Sequence, residues 1–185
     1  MLIVGIGCRR LRGKDTVAAR LYARYDYARL AIGDRIKQCA AAMFGSEVGP
    51  VEAGAKDSPL EGPVFQAVAE NAGLQLVTRR WIWQRLGTEV AHNFGPDVWI
   101  NGLLRNAVGF ARVVIPDIRY PVEAEAVKAA GGLLIRIDRD IPYDAAQDDH
   151  RSEHALDYYG GWDYIVDNNG TVDDLYRQVD DLRRW

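Results

Sequence analysis

Leu2-Ile3-Val4-Gly5-Ile6-Gly7-Cys8-Arg9-Arg10-Leu11-Arg12-Gly13-Lys14-Asp15-Thr16 decides the fold. An apolar run meets a basic loop, and Gly13-Lys14-Asp15-Thr16 then opens a helical pattern beginning Val17-Ala18-Ala19. The order is strand, phosphate loop, helix. Such a loop curls its backbone N–H groups inward at a helix N-terminus, where the dipole is positive, and its lysine neutralises the β/γ-phosphates. The segment therefore predicts a nucleoside triphosphate ligand. It departs from the pattern G-x-x-x-x-G-K-[ST] in two places. Cys8 stands at the first glycine, with Gly7 one place early. Asp15 stands where a Mg²⁺-binding hydroxyl is usual, with Thr16 one place later. The bland alternative is a βα turn with a capping Asp15 and a solvated Lys14.

The rest of the chain bounds this reading. Its 185 residues predict one compact domain with an independent core. The hydrophobic content of 48% and charged content of 26% are those of a soluble globular protein. No segment approaches the ~18 continuous apolar residues of a membrane span. The N-terminal apolar run reads as a buried strand, not a signal peptide. Cys8 and Cys39 are too few for a disulfide framework, so a reducing cytoplasm is expected. The net charge of −3 argues against stable duplex DNA binding. The arginines are nonetheless clustered: Arg9, Arg10 and Arg12; Arg79, Arg80 and Arg85; Arg119, Arg136 and Arg139. Local positive sites in an acidic protein suit a small anionic ligand.

Alternating patterns predict strands over 2–7, 27–32, 112–115, 133–137 and 164–166. Helices are expected over 14–24, 34–44, 64–73, 79–94, 96–110 and 122–130, with a last one capped by Thr171 and reaching Arg184. Residues 45–63, rich in Gly, Pro and acidic residues, read as a loop or arm. Strands alternating with helices imply a three-layer α/β fold, with a mostly parallel sheet covered on both faces. Ligands in such folds sit beyond the strands' C-terminal ends, where Lys14, Asp34, Asp117, Arg119 and Arg139 fall.

Further stretches complete an ordered set: Ile32-Gly33-Asp34-Arg35-Ile36-Lys37, Gln84-Arg85-Leu86-Gly87-Thr88-Glu89, Asp97-Val98-Trp99, Asp117-Ile118-Arg119-Tyr120-Pro121-Val122-Glu123-Ala124-Glu125, Asp149-His150-Arg151-Ser152-Glu153 and Asn168-Asn169-Gly170-Thr171. With the phosphate loop, this set resembles the deoxynucleoside monophosphate kinases of bacteriophages over nearly the whole chain. Val122 departs from it, standing where the family often has Asn. The resemblance implies a P-loop kinase fold, with a helical acceptor-binding insertion at about 45–110 and a lid at about 139–159. It implies transfer of the ATP γ-phosphoryl group, with Mg²⁺, to a deoxynucleoside 5′-monophosphate in the cytoplasm, that of the host if the chain is phage-encoded. The expected partners are small nucleotides, with no membrane. A homodimer is left open.

Phosphoryl transfer needs charge neutralisation and alignment more than a strong base. Arg10, Arg12, Gly13, Lys14, Asp15 and Thr16 are the expected triphosphate contacts, and Asp15 or Thr16 would help hold Mg²⁺. Asp34 resembles the family's acceptor-side Asp, with a helix N-cap as its alternative; Lys37 is divided between site and surface. Arg80 and Arg85 flank Gln84, so an arginine fork could clamp a monophosphate while Gln84 reads a base edge. A solvated face explains the arginines equally, and Trp81 and Trp83 could be core. Asp117 could hold water on Mg²⁺, and Arg119 could meet substrate phosphate; a turn-stabilising Asp117 is the alternative. Arg139 matches a family position from which a lid arginine could close over the transferring group. His150, Ser152 and Glu153 resemble a family motif, and capping explains them too. Asn168 could back the adenine ring, or belong to a plain turn. Three rivals stay open: a phosphomevalonate kinase, which also uses Gly-Lys-Asp; a kinase of hydroxymethylated bases in phage DNA; and a noncatalytic nucleotide-binding protein.

Overall fold

The computed structural model describes residues 1–9, 11–142 and 154–182. In chain order its main elements are β1 (Leu2–Gly7), α1 (Lys14–Tyr25), β2 (Ala28–Arg29), α2 (Ile32–Phe44), α3 (Pro63–Asn71), α4 (Arg79–Phe94), α5 (Val98–Ala107), β3 (Arg112–Ile118), α6 (Pro121–Ala129), β4 (Leu133–Asp138), β5 (Tyr164–Asp167) and α7 (Val172–Leu182). Two compact units result: Met1–Ile32 with Ile100–Trp185, and Gly33–Trp99. No helix among the described residues is long and apolar enough to cross a membrane.

The first unit carries a five-stranded sheet in the order β2-β3-β1-β4-β5, every neighbouring pair parallel. Strands buried on both faces read as continuous apolar runs, which is why β1, β3 and β4 stand out in the sequence. Side chains alternate between the faces of β1. Val4 and Ile6 pack with Val17, Ala18 and Leu21 of α1 and with Leu175 and Val179 of α7. On the other face, a Cβ at Gly5 would come within 2.8 Å of Leu134 on β4 and 3.2 Å of Ile118 on β3, with Val127 of α6 in ordinary contact at 3.4 Å, so glycine makes room for these side chains under α6. The expected three layers are therefore present.

β3 runs through Pro116, where the sequence predicts its end. A central strand tolerates proline only where the ladder is interrupted. Here Gly5 pairs with Ile115 and Gly7 with Ile118, so Pro116 and Asp117 together oppose Ile6. That bulge accommodates the missing N–H and re-aims the strand end.

β2 is shorter than the expected 27–32, with Leu30 N donating to Val114 O just beyond it. α2 begins at Ile32 rather than at Asp34. The cause is tertiary: Asp117 Oδ1 accepts from Ile32 N at 3.0 Å. Asp34 lies inside the first turn, which removes its reading as an N-cap. α5 starts at Val98 and ends at Ala107, inside the expected 96–110. Thr171 does cap α7: its Oγ1 accepts from Asp174 N while Asp174 Oδ2 accepts from Thr171 N. α7 is described to Leu182, and residues 183–185 lie outside the described residues.

The helical unit buries Ala40, Val48, Leu60, Phe65, Ala69, Val77 and Ile82 together, with Trp81 and Trp83 packed against them. Trp83 Nε1 donates to Val48 O at 2.7 Å, which satisfies the indole inside that core. Thr78 caps α4 by accepting from Trp81 N. The expected loop at 45–63 contains two 3-10 turns, Ser46–Val48 and Ala53–Asp57.

Candidate active site

The loop between β1 and α1 ends on Gly13, whose φ of 101° and ψ of 12° an L side chain rarely adopts. Gly13 has no side chain with which to cap α1, so the first-turn N–H groups receive no cap from that position. Leu11 also takes left-handed backbone, at φ 62°. The loop is held from behind by Asn168, which is 8% exposed and donates from Nδ2 to Arg12 O at 2.9 Å. Asn168 thus supports the loop backbone. The next turn is tied to β4 as well, because Asn168 N donates to Asp138 O and Asp140 N to Asn169 Oδ1.

Lys14 Nζ lies 2.8 Å from Asp15 Oδ2. Its side chain is 20% exposed and that of Asp15 68%, so the lysine is the more enclosed partner. Asp15 also lies 4.0 Å from Arg29. Thr16 is half-buried one place further along α1.

Beside the loop lies a cavity of about 300 Å³, lined by Gly7, Cys8, Arg9 and Arg12 of the loop, by Ile118 and Arg119 after β3, by Arg136, Ile137 and Asp138 of β4, and by Leu156, Asp157 and Trp162. Four guanidinium groups face two carboxylates there, an excess of positive charge in a chain of net charge −3. Such a cavity attracts a compact polyanion. Arg9 grips Asp157 with two bonds, at 3.0 and 2.5 Å, and holds that carboxyl below the usual range. Arg136 pairs with Asp138 at 2.7 Å. Arg136 Nε and Trp162 Nε1 are buried with no hydrogen-bond partner. Trp162 also accounts for the shifted glycine. A Cβ at Gly7 would meet its indole ring, so close approach is required at position 7, and Cys8 is free to line the cavity.

At the C-terminal end of β3, Asp117 anchors the start of α2 and Arg119 lines the cavity. The turn between them and α6 is fixed by Glu123, 7% exposed, whose Oε2 accepts from Arg119 N at 2.7 Å and Tyr120 N at 3.0 Å. Burial pushes the Glu123 carboxyl up to about 7 from an ordinary 4.5. The folded chain therefore holds this proton between those two values while the unfolded chain releases it. The contribution of Glu123 to stability is full below the lower value and declines as pH rises through the upper one, by about 3 kcal/mol in all. Glu123→Gln cannot ionise, so its stability should lack this decline. Chemical unfolding between about pH 5 and pH 8 checks it; identical pH profiles for the two proteins would contradict the assignment.

Some expected residues fall elsewhere. Arg139 is exposed just beyond β4 and does not line the cavity; Arg136, three residues earlier, does. In the helical unit, Lys37 pairs with Asp34 at 3.0 Å and lies 5.5 Å from the Trp83 ring centroid. Arg80 grips Asp57, with Nη2 to Oδ2 at 3.0 Å, so its fork faces a carboxylate of its own unit. Gln84 and Arg85 are exposed on α4, Arg85 pairing with Glu89 at 3.2 Å. Arg10, His150, Arg151, Ser152 and Glu153 lie outside the described residues, as does most of the expected lid. The sequence names Arg9 and Arg136 only as members of arginine clusters and Glu123 only within a motif, and it gives Asp138, Asp157 and Trp162 no role. Arg136 and Asp138 did leave a signal: they are charges two apart in an otherwise apolar strand, hence on one face.

A family model described as "Deoxynucleotide monophosphate kinase" matches residues 61–179. A putative deoxynucleotide monophosphate kinase of Acanthamoeba polyphaga mimivirus is 26% identical over 194 residues, covering 97% of this chain and 94% of the relative. A deoxynucleotide monophosphate kinase of Enterobacteria phage T4 is 26% identical over 106 residues, covering 54% of this chain and 43% of the relative.

Proposed function

The chain belongs to the deoxynucleotide monophosphate kinase family, and on that premise we propose that it moves the γ-phosphoryl group of ATP onto the 5′-phosphate of a deoxynucleoside monophosphate, leaving ADP and the diphosphate. The observation that carries this reading is the pairing of an α1 N-terminus, entered through left-handed Gly13, with an arginine-lined cavity at the loop's side. Orphan N–H groups and guanidinium groups together match a triphosphate and a transferring phosphoryl group.

The triphosphate lies along the loop, where the backbone of Arg12 and Gly13 and the Lys14 ammonium neutralise its β/γ end. Lys14 exchanges the Asp15 carboxylate for phosphate oxygens. Arg119 holds the acceptor or transferring phosphate from the end of β3. Its guanidinium spreads over two oxygens, as a fork can and an ammonium cannot. Arg9 and Arg136 add charge around the cavity, and the indole of Trp162 helps exclude water. In the helical unit, Asp34, Lys37, Gln84 and Arg85 are assigned to acceptor recognition; Arg80 joins them only by releasing Asp57.

Mg²⁺ fits this donor set as a nucleotide-borne ion. Among the described residues no group of three or more His, Cys, Asp or Glu side chains could hold a metal by itself. Asp15, Thr16 or Asp117 would add ligands, directly or through water, to an ion already on the phosphates. The ion would supply charge neutralisation on the triphosphate.

The test is diphosphate formation from ATP with each deoxynucleoside and ribonucleoside monophosphate in turn. Parallel reactions contain phosphomevalonate, DNA bearing hydroxymethylated bases, or no acceptor. At least one deoxynucleoside monophosphate should give its diphosphate with equimolar ADP. Turnover only with phosphomevalonate or DNA would move the acceptor, and nucleotide binding with no transfer to any acceptor would remove the kinase reading.

A further inference from the structure

We infer that Glu123 is a positioning residue for phosphoryl transfer, its buried carboxylate fixing the backbone from which Arg119 reaches the cavity. The inference rests on the role proposed for Arg119. A glutamate at the third position of a helix commonly returns to the N-cap amide, and the bond to Tyr120 N does that. Helix capping requires nothing more. Yet the same Oε2 accepts a second and shorter bond, 2.7 Å, from Arg119 N, one residue outside the cap.

Two further observations separate this carboxylate from an ordinary cap. A capping glutamate is normally solvated, whereas Glu123 is 7% exposed. Burial of a carboxyl is costly unless it is hydrogen-bonded, so the bonds to Arg119 and Tyr120 are tightly coupled to the packing of α6. The turn it holds also continues directly from the β3 bulge, where Asp117 Oδ1 is fixed on Ile32 N. Arg119 therefore leaves a backbone restrained by side chains on both sides. A guanidinium contact to a transferring phosphoryl depends on placement within a fraction of an ångström, which such restraint supplies.

The experiment is a double-mutant cycle on the full chain, with steady-state kinetics in ATP and in the accepted monophosphate. Arg119→Ala should lose about 100-fold in kcat/KM for the monophosphate. Glu123→Ala should lose about tenfold in the same parameter while KM for ATP changes by less than about twofold. In the Arg119→Ala background, Glu123→Ala should cost nothing further, because there is no guanidinium left to position. Glu123→Gln keeps an acceptor oxygen for both amides and should recover most of the loss.

An Arg119→Ala variant that turns over like the wild type would sink the proposed role of Arg119, and this inference with it. An impaired Arg119→Ala that loses the same extra factor when Glu123→Ala is added would leave the reading of Arg119 standing and overturn this one. An equal loss in KM for ATP and for the monophosphate would also overturn it, as a general structural effect. Should Glu123→Ala fail to fold, Glu123→Asp, one methylene shorter at the same charge, enters the same cycle under the same criteria.

Discussion

Lys14→Ala should lower kcat by about 100-fold or more while the chain still folds. Phosphoryl transfer gathers charge on the β/γ bridge and the equatorial oxygens, and a lysine at the first position of α1 is placed to neutralise it. The structure separates this effect from folding. Lys14 makes its ion pair with Asp15, which is 68% exposed, rather than with any core group. A pair with one partner so open to solvent contributes little to stability. The N-cap geometry of α1 resides in Gly13, not in Lys14. Chemical unfolding of the variant should therefore fall within about 0.5 kcal/mol of the wild type, as for most surface substitutions. ATP affinity should weaken less than turnover, since the ammonium interacts more strongly with the transferring state than with the bound nucleotide. Wild-type turnover in a folded Lys14→Ala protein would remove the loop lysine from the reaction, and with it the reading of residues 2–16 as a catalytic loop.

That loop was legible because its determinants are local. A doubly buried strand announces itself as an apolar run, and the spacing from Gly13 to Val17 marks a helix start. The positions that were misread have partners far along the chain. α2 starts two residues before Asp34 because Asp117, 85 residues away in sequence, receives the Ile32 N–H. No local signal could place that cap. Pro116 argued for a strand end, yet the pairing of Gly7 with Ile118 absorbs it in a bulge. The pairing of Arg80 with Asp57 was likewise not readable from its spacing to Gln84, because Asp57 lies in a segment with only loop-like sequence. The cavity walls show the same division. Arg12 and Arg119 were found from motifs, whereas Trp162 and Asp157 meet the loop only after β5 and its preceding turns have folded against β4. Periodicity fixes which face of an element is buried, but not which distant side chain faces a given backbone group.

Gly13→Ala should cost about 2–4 kcal/mol of stability and most of the nucleotide affinity, by two effects acting on one atom. A φ of 101° lies outside the region that L residues occupy readily, so any side chain there strains the helix start. The added Cβ would also meet the Asn168 side-chain amide that bonds Arg12 O. Relief requires Asn168 to withdraw, and Asn168 is 8% exposed, so its amide would lose a partner in a dry place. Alternatively the loop must move, which displaces the amides that face the phosphates. Either route couples instability to loss of binding. Gly102 supplies the control: it lies within α5, and a Cβ there would meet nothing within 4 Å. Gly102→Ala should be neutral or stabilising by up to about 1 kcal/mol, as expected for a helical glycine. Chemical unfolding of both variants, with calorimetric titration of ATP, gives the comparison. A Gly13→Ala protein as stable as the wild type and binding ATP as tightly would mean that the loop backbone is not held in this conformation. The account of the phosphate site as a loop braced by Asn168 would then fall, even if Lys14 proved essential.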